Sequence, residues 1–167
     1  MALAAASAAS AASPAEPTGY GPLRFGMSIE EARSMLPSLA PLAATPVVPA
    51  NTPITFMQVT GERYEGLGPC TIVLGFLSDH FYEARFDCAP RDAKVDAALR
   101  KRYGAPTSTQ GPLQIWQTDH TTLALNTSVH TFSLADRGLT QALNQIILQK
   151  ALAGHQAMPG GAPAAGK

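Results

Sequence analysis

The sequence predicts an α+β fold: a mainly antiparallel sheet of about five to six strands with three helices, flanked by disordered N- and C-terminal tails. Three observations predict it. Strand-like runs fall into two clusters of three, not one by one between helices, a pattern that favours antiparallel pairing with the helices on one face. Three stretches carry the apolar spacing of amphipathic helices. Both ends consist almost wholly of Ala, Ser, Pro and Gly, side chains whose burial cannot offset the roughly 1–2 kcal/mol per residue that backbone ordering costs.

In chain order, residues 1–19 form an Ala/Ser/Pro-rich segment with two open readings: the remnant of a signal peptide whose start lies upstream, or a linker. Residues 20–153 form a single domain. Ser28-Ile29-Glu30-Glu31 has the capping-box pattern, with Ser28 as N-cap and Glu31 at N3, and Ala32, Met35 and Leu36 supply the apolar stripe of a short first helix. Five prolines punctuate the loop at 37–53, an extended connection with few donors for a ladder. Strand patterns follow at 54–60, 70–77 and 81–88. A second helix spans about 92–103, with Val95, Ala98, Leu99 and Tyr103 on one face, Gly104 as its C′ residue and Pro106 as a stop. A three-stranded meander is expected at 113–118, 121–127 and 129–134. The third helix begins after Asp136 and ends before Gly154, with Leu139, Leu143, Ile146, Ile147 and Leu148 docking on the sheet. Residues 154–167 form the Gly/Pro/Ala tail. No internal repeat is visible.

The central hairpin is the most informative segment. With the turn centred on Asp79, Leu77 faces Phe81, Phe76 faces Tyr82, Leu74 faces Ala84, Ile72 faces Phe86 and Cys70 faces Cys88. The set from Phe76 and Tyr82 to Cys70 and Cys88 is apolar or cysteine and shares one face. The alternate set, Thr71, Val73, Gly75 and Leu77 against Phe81, Glu83, Arg85 and Asp87, is much more polar; a slip would mix the two. The register also brings together the only two cysteines of the chain. A Cys70–Cys88 disulfide is therefore expected, closing a loop of roughly 19 residues and adding ~3 kcal/mol. The alternative is a pair of buried thiols. A disulfide implies an oxidising compartment, periplasmic or secreted; the alternative is cytoplasmic. Glu83, Arg85 and Asp87 project from the opposite face as a candidate exposed polar surface.

Lys+Arg and Asp+Glu are each 12, so the chain lacks the concentrated positive field that draws nucleic acid or anionic lipid. The short basic run Arg100-Lys101-Arg102 reads as a solvated helix face. No apolar run approaches the ~20 residues that span a bilayer. No cofactor site, metal site or catalytic constellation emerges. Gly161 to Lys167 matches the spacing of a phosphate-binding loop but lacks its strand, helix and hydroxyl residue. Asp79-His80 and Asp119-His120 fall at expected hairpin tips. If the second helix is a crossover, the strands at 81–88 and 113–118 run parallel, the tips lie at opposite ends of the sheet, and turn chemistry explains both pairs. His130 and His155 match no ligand spacing. Asn126-Thr127-Ser128 is a glycosylation sequon, meaningful in a eukaryotic secretory pathway. Trp116 is either an exposed binding aromatic or a core residue.

Phe25-Gly26-Met27-Ser28, followed by Glu30-Glu31-Ala32 and Leu36, resembles the opening of small bacterial envelope domains such as the small lipoprotein of the barrel-assembly machinery. Arg102-Tyr103-Gly104-Ala105-Pro106, Trp116 and Leu123-Ala124-Leu125 resemble a pattern of secreted α+β proteins. The resemblance covers about residues 22–135 as scattered short motifs, without a lipidation cysteine near the N-terminus and with a longer Pro-rich insert. It implies an envelope location and an uncatalytic role in contact with a protein partner of the envelope. The expectation is thus an exported protein-interaction module. The alternatives are a small-ligand-binding protein with a pocket between the sheet and the Pro-rich segment, and an enzyme whose residues are scattered in sequence.

Overall fold

The computed structural model describes residues 16–43, 48–63, 69–88, 94–129 and 131–156. The elements are α1 (Ile29–Met35), β1 (Ala40–Pro41), β2 (Ile54–Arg63), β3 (Pro69–Leu77), β4 (His80–Cys88), α2 (Lys94–Tyr103), β5 (Ser108–Gln110), β6 (Leu113–Gln117), β7 (Thr121–Asn126), β8 (Thr131–Asp136) and α3 (Arg137–Gln156). The α+β class, the three helices and the antiparallel sheet stand. The sheet has eight strands, not five to six, in the order β1-β2-β3-β4-β8-β7-β6-β5. The two additional strands, β1 and β5, are its edges. Every residue in them is exposed, so neither carries the in–out alternation that marks a strand in sequence. β1 also amends the reading of the Pro-rich loop, because Ala40 and Pro41 pair with Gln58 and Met57.

Element order reveals a duplication that the residue pattern hides. A helix, a short edge strand and three longer strands occur twice, and the two four-stranded halves meet at the antiparallel β4–β8 pair. α2 does act as a crossover, but it leads from β4 to β5 at the far edge. β5 then runs parallel to β4, and β6 runs antiparallel to it. The expected parallel relation of 81–88 and 113–118 is therefore corrected. Overlooking one edge strand inverts the direction of every strand after it.

One sheet face carries the main core. Leu23, Ala32, Ile72, Leu74, Phe76, Phe81, Ala84 and Phe86 are fully buried there, with Val95 and Leu99 of α2 packed on them. Phe86 and Phe132 stack at 4.3 Å between centroids, and Tyr20 meets Phe86 edge-on at 5.5 Å. α1 starts as its sequence dictates: Glu31 N–H donates to Ser28 Oγ, and Ser28 N–H donates to the Glu31 carboxylate at 2.8 Å. The Ser28 N–H first, and then the Ser28 hydroxyl, which also donates to Glu31 Oε2 at 2.9 Å, hold the Glu31 carboxyl below the usual range. Met35, expected in the apolar stripe, is 45% exposed, because a seven-residue helix buries its stripe only through Ala32 and the partly buried Ile29 and Leu36.

The expectation that all helices share one face is also corrected. α3 packs on the opposite face, where Leu139, Leu143, Ile146 and Ile147 meet Ile54, Leu77 and Tyr82. Leu148 points away and is 54% exposed. Among the described residues no helix is long and apolar enough to cross a membrane.

Candidate functional site

The candidate site lies on the α3 side of the sheet and originates in one irregularity of the central hairpin. Ser78 and Asp79 have φ of 48° and 69°, the left-handed pair of a two-residue primed turn. Leu77 thus pairs with His80 and Phe76 with Phe81, not Leu77 with Phe81. From Gly75↔Glu83 down to Cys70↔Cys88 the pairing is the one read from sequence, and a bulge between the two stretches absorbs the extra residue, Tyr82. Bulges re-aim side chains, and this one places Tyr82 with Leu77 and α3, away from the main core. Gly75 gives it room: a Cβ there would lie 2.7 Å from Cε1 of the Tyr82 ring.

Beside Tyr82, the residues Glu83 and Arg85 face the same side. Arg85 Nη2 lies 3.3 Å from Glu83 Oε1, with side chains 50% and 17% exposed respectively. The Tyr82 phenol is pushed up to about 12, by burial first and by the neighbouring Glu83 carboxylate next, so it stays a neutral hydroxyl. Asp87, the third residue of the expected polar surface, is exposed at the other end of β4. Across from Glu83 and Arg85 stand the small residues Ala135 and Ser133 of β8, and beyond these Thr122 and Ala124 of β7. Small residues on the floor and α3 on one side leave a groove of about 470 Å³. It reaches from Ile54 and Phe56, past Tyr82, Glu83 and Arg85, to Thr122, with Val48 of the Pro-rich segment and Leu143 and Ile147 of α3 along it. That volume falls in the range of ligand pockets, roughly 300–1,000 Å³. A second hollow of about 410 Å³ lies between Pro49–Asn51 and Ile147–Ala153, and Ile147 borders both.

The remaining candidate residues have structural work. Cys70 and Cys88 are joined in a disulfide with Cα atoms 4.0 Å apart, buried in the main core. Asp79 Oδ1 accepts from Ile29 N–H at 3.0 Å, and His80 Nδ1 lies 3.0 Å from Gly26 O, so this pair clasps the turn to the start of α1. The Asp119-His120 turn is clasped by the N-terminal segment. Glu16 accepts from the Thr118 hydroxyl and from His120 N–H, and the two hydrogen bonds, Thr118 first, hold its carboxyl below the usual range. The two turns lie at the same end of the sheet, correcting the expected opposite ends, because β4 and β6 are antiparallel. About three strand spacings, ~14 Å, still separate them. Among the described residues no three His, Cys, Asp or Glu side chains gather as a metal site.

Trp116 is a core residue that donates from Nε1 to Gly104 O at 2.9 Å. A cavity of about 70 Å³ adjoins it, well below the size of a ligand pocket. Arg100 is held by Asp96 at 2.8 Å and by Gln114 at 2.9 Å. In the sequon, Asn126 Oδ1 accepts from Ser128 N–H and the Thr127 hydroxyl donates to Pro112 O. His130, the His155 side chain and the Gly161–Lys167 motif lie outside the described residues.

The groove was only half visible in sequence. Glu83 and Arg85 announce a polar face, whereas its floor reads as ordinary strand and its wall depends on where α3 lands. Folded this way, the chain is an α+β domain with an eight-stranded antiparallel sheet, closed on one face and partly open on the other. Searches against family models, curated proteins and solved structures give no match for it.

Proposed function

We propose that this protein is an exported, non-catalytic binding domain that meets a partner protein through the open part of its sheet. The carrying observation is the unequal cover of the two faces. Beyond α3, the side chains of Val73, Leu113, Ile115, Ala124 and Ser133 remain only partly buried on the side opposite the main core. Recognition then uses the face, since edges of two and three residues, one containing a proline, are too short to accept an added strand. The disulfide supports export, and so does the likeness of the Phe25–Ser28 stretch to envelope domains and of Arg102–Pro106 to secreted proteins. A photo-crosslinker placed at Ala124 or Ile115 is expected to trap the same envelope protein, with Ala124→Arg removing the product. Equal trapping from Ser34 on α1 overturns the face assignment. In protein isolated unreduced from its host and then denatured, no reactive thiol is expected; two sulfhydryls overturn export.

A second reading, a small-ligand-binding protein, is favoured by one specific observation: the 470 Å³ groove borders both the sheet and Val48 of the Pro-rich segment, the place where the sequence led us to expect a pocket.

A further inference from the structure

Resting on that second reading, we infer that the groove takes an anionic amphiphile, an apolar chain with a single carboxylate head of the medium-chain fatty-acid class. The groove is polar at one end and apolar at the other. Ile54 and Phe56 on β2, with Leu143 and Ile147 on α3, form an oily trough; Glu83 and Arg85 stand midway on β4, with Ser133 and Thr122 beyond them on β8 and β7. From β2 to β7 the groove crosses four strand spacings, about 19 Å, which suits an elongated molecule lying across the strands.

Arg85 selects the head. Among the described residues, Glu83 and Arg85 are the charged side chains lining the groove, while Lys150 borders the neighbouring hollow and donates to Ala50 O at 3.0 Å. Glu83 is already engaged, by Arg85 at 3.3 Å and by the Tyr82 hydroxyl. Arg85 contacts Glu83 through Nη2, and its side chain is half exposed. Its remaining guanidinium edge offers the fork that a carboxylate accepts in two parallel hydrogen bonds. Ser133, directly opposite Arg85 on β8, brings a hydroxyl donor to the same place, and Thr122 on β7 adds another in the neighbouring row, across Ala135 from Glu83. A cationic head would meet Arg85, and a neutral head would leave its edge unused.

The test uses the full chain, titrated below the micelle threshold with decanoate, 1-decanol and decyltrimethylammonium and followed by calorimetry and by amide chemical shifts. Decanoate is expected to saturate one site, shifting Thr122, Ser133, Ala135 and Leu143. Arg85→Gln should weaken it at least about tenfold, the size of a lost charge-assisted hydrogen bond, while Arg85→Lys keeps the preference for decanoate over the cation. Retained native circular dichroism in both variants separates lost binding from lost folding. Equal affinity for all three heads, with shifts confined to the groove, overturns the acidic-head assignment and leaves the groove reading intact. Shifts centred on exposed Leu148 and Leu152, or none in the groove with any amphiphile, overturn both.

Discussion

The two faces of the sheet are built from the same strands and differ in almost everything else. On one, α1, α2 and the segment around Tyr20 and Leu23 close over a continuous layer of aromatic and aliphatic side chains fastened by the disulfide. On the other, α3 crosses one end, and the rest of the surface is small, polar or half-buried. The closed face holds the fold together; the open face has room for something else. The contrast teaches that here the closed core and the open groove are divided between alternate residues of the same strands. In β4, Phe86 and Cys88 build the core, while Tyr82, Glu83 and Arg85 line the groove.

Substitutions can break that division or sharpen it. The largest effect is expected from Phe86→Ala, which removes a fully buried ring and its stack on Phe132. Chemical denaturation should show a loss of about 3–5 kcal/mol. Next comes the disulfide: the Cys70→Ser/Cys88→Ser pair should cost ~3 kcal/mol by the chain-entropy argument, with little change in groove ligand affinity. A comparable loss of binding would mean that the two faces are coupled.

On the open face the effects are smaller and conditional. The Tyr82 phenol titrates near 12 in the folded chain against 10 when unfolded. The unfolded state therefore gives up its proton first, and stability present below pH 10 is lost as pH rises through 12. Over that interval the protein should lose roughly 2–3 kcal/mol more than Tyr82→Phe does, measured as the difference in melting between the two. The smallest of the four is Gly75→Ala. Its methyl group collides with the Tyr82 ring, and overpacking of this kind costs about 1–3 kcal/mol. The near-ultraviolet signal of Tyr82 should change while the Phe86–Phe132 stack does not.

Much of the closed face was legible. The alternation from Cys70 to Phe76 and from Ala84 to Cys88 is strong because one face of those strands is completely buried, and burial on one face is what makes a register readable. The capping box at Ser28 and the Gly104 terminus of α2 were legible because local hydrogen bonds and backbone geometry decide them. The edge strands were not, since exposure erases the signal. The bulge at Tyr82 was missed because the turn was centred on Asp79 alone, whereas Ser78 and Asp79 together form it. Leu148 was assigned to the buried stripe of α3 because the spacing of apolar residues does not say how wide a strip the sheet can cover.

By itself, the sequence determined the class of the fold, the three helices, six of the eight strands and the meeting of the two cysteines, all consequences of interactions within or between adjacent segments. Only the tertiary structure decided the polarity of the second meander, the face on which α3 lies and the groove beside it. Those depend on which distant strand becomes β4's neighbour, a choice made by the burial of whole layers that no short window of residues records.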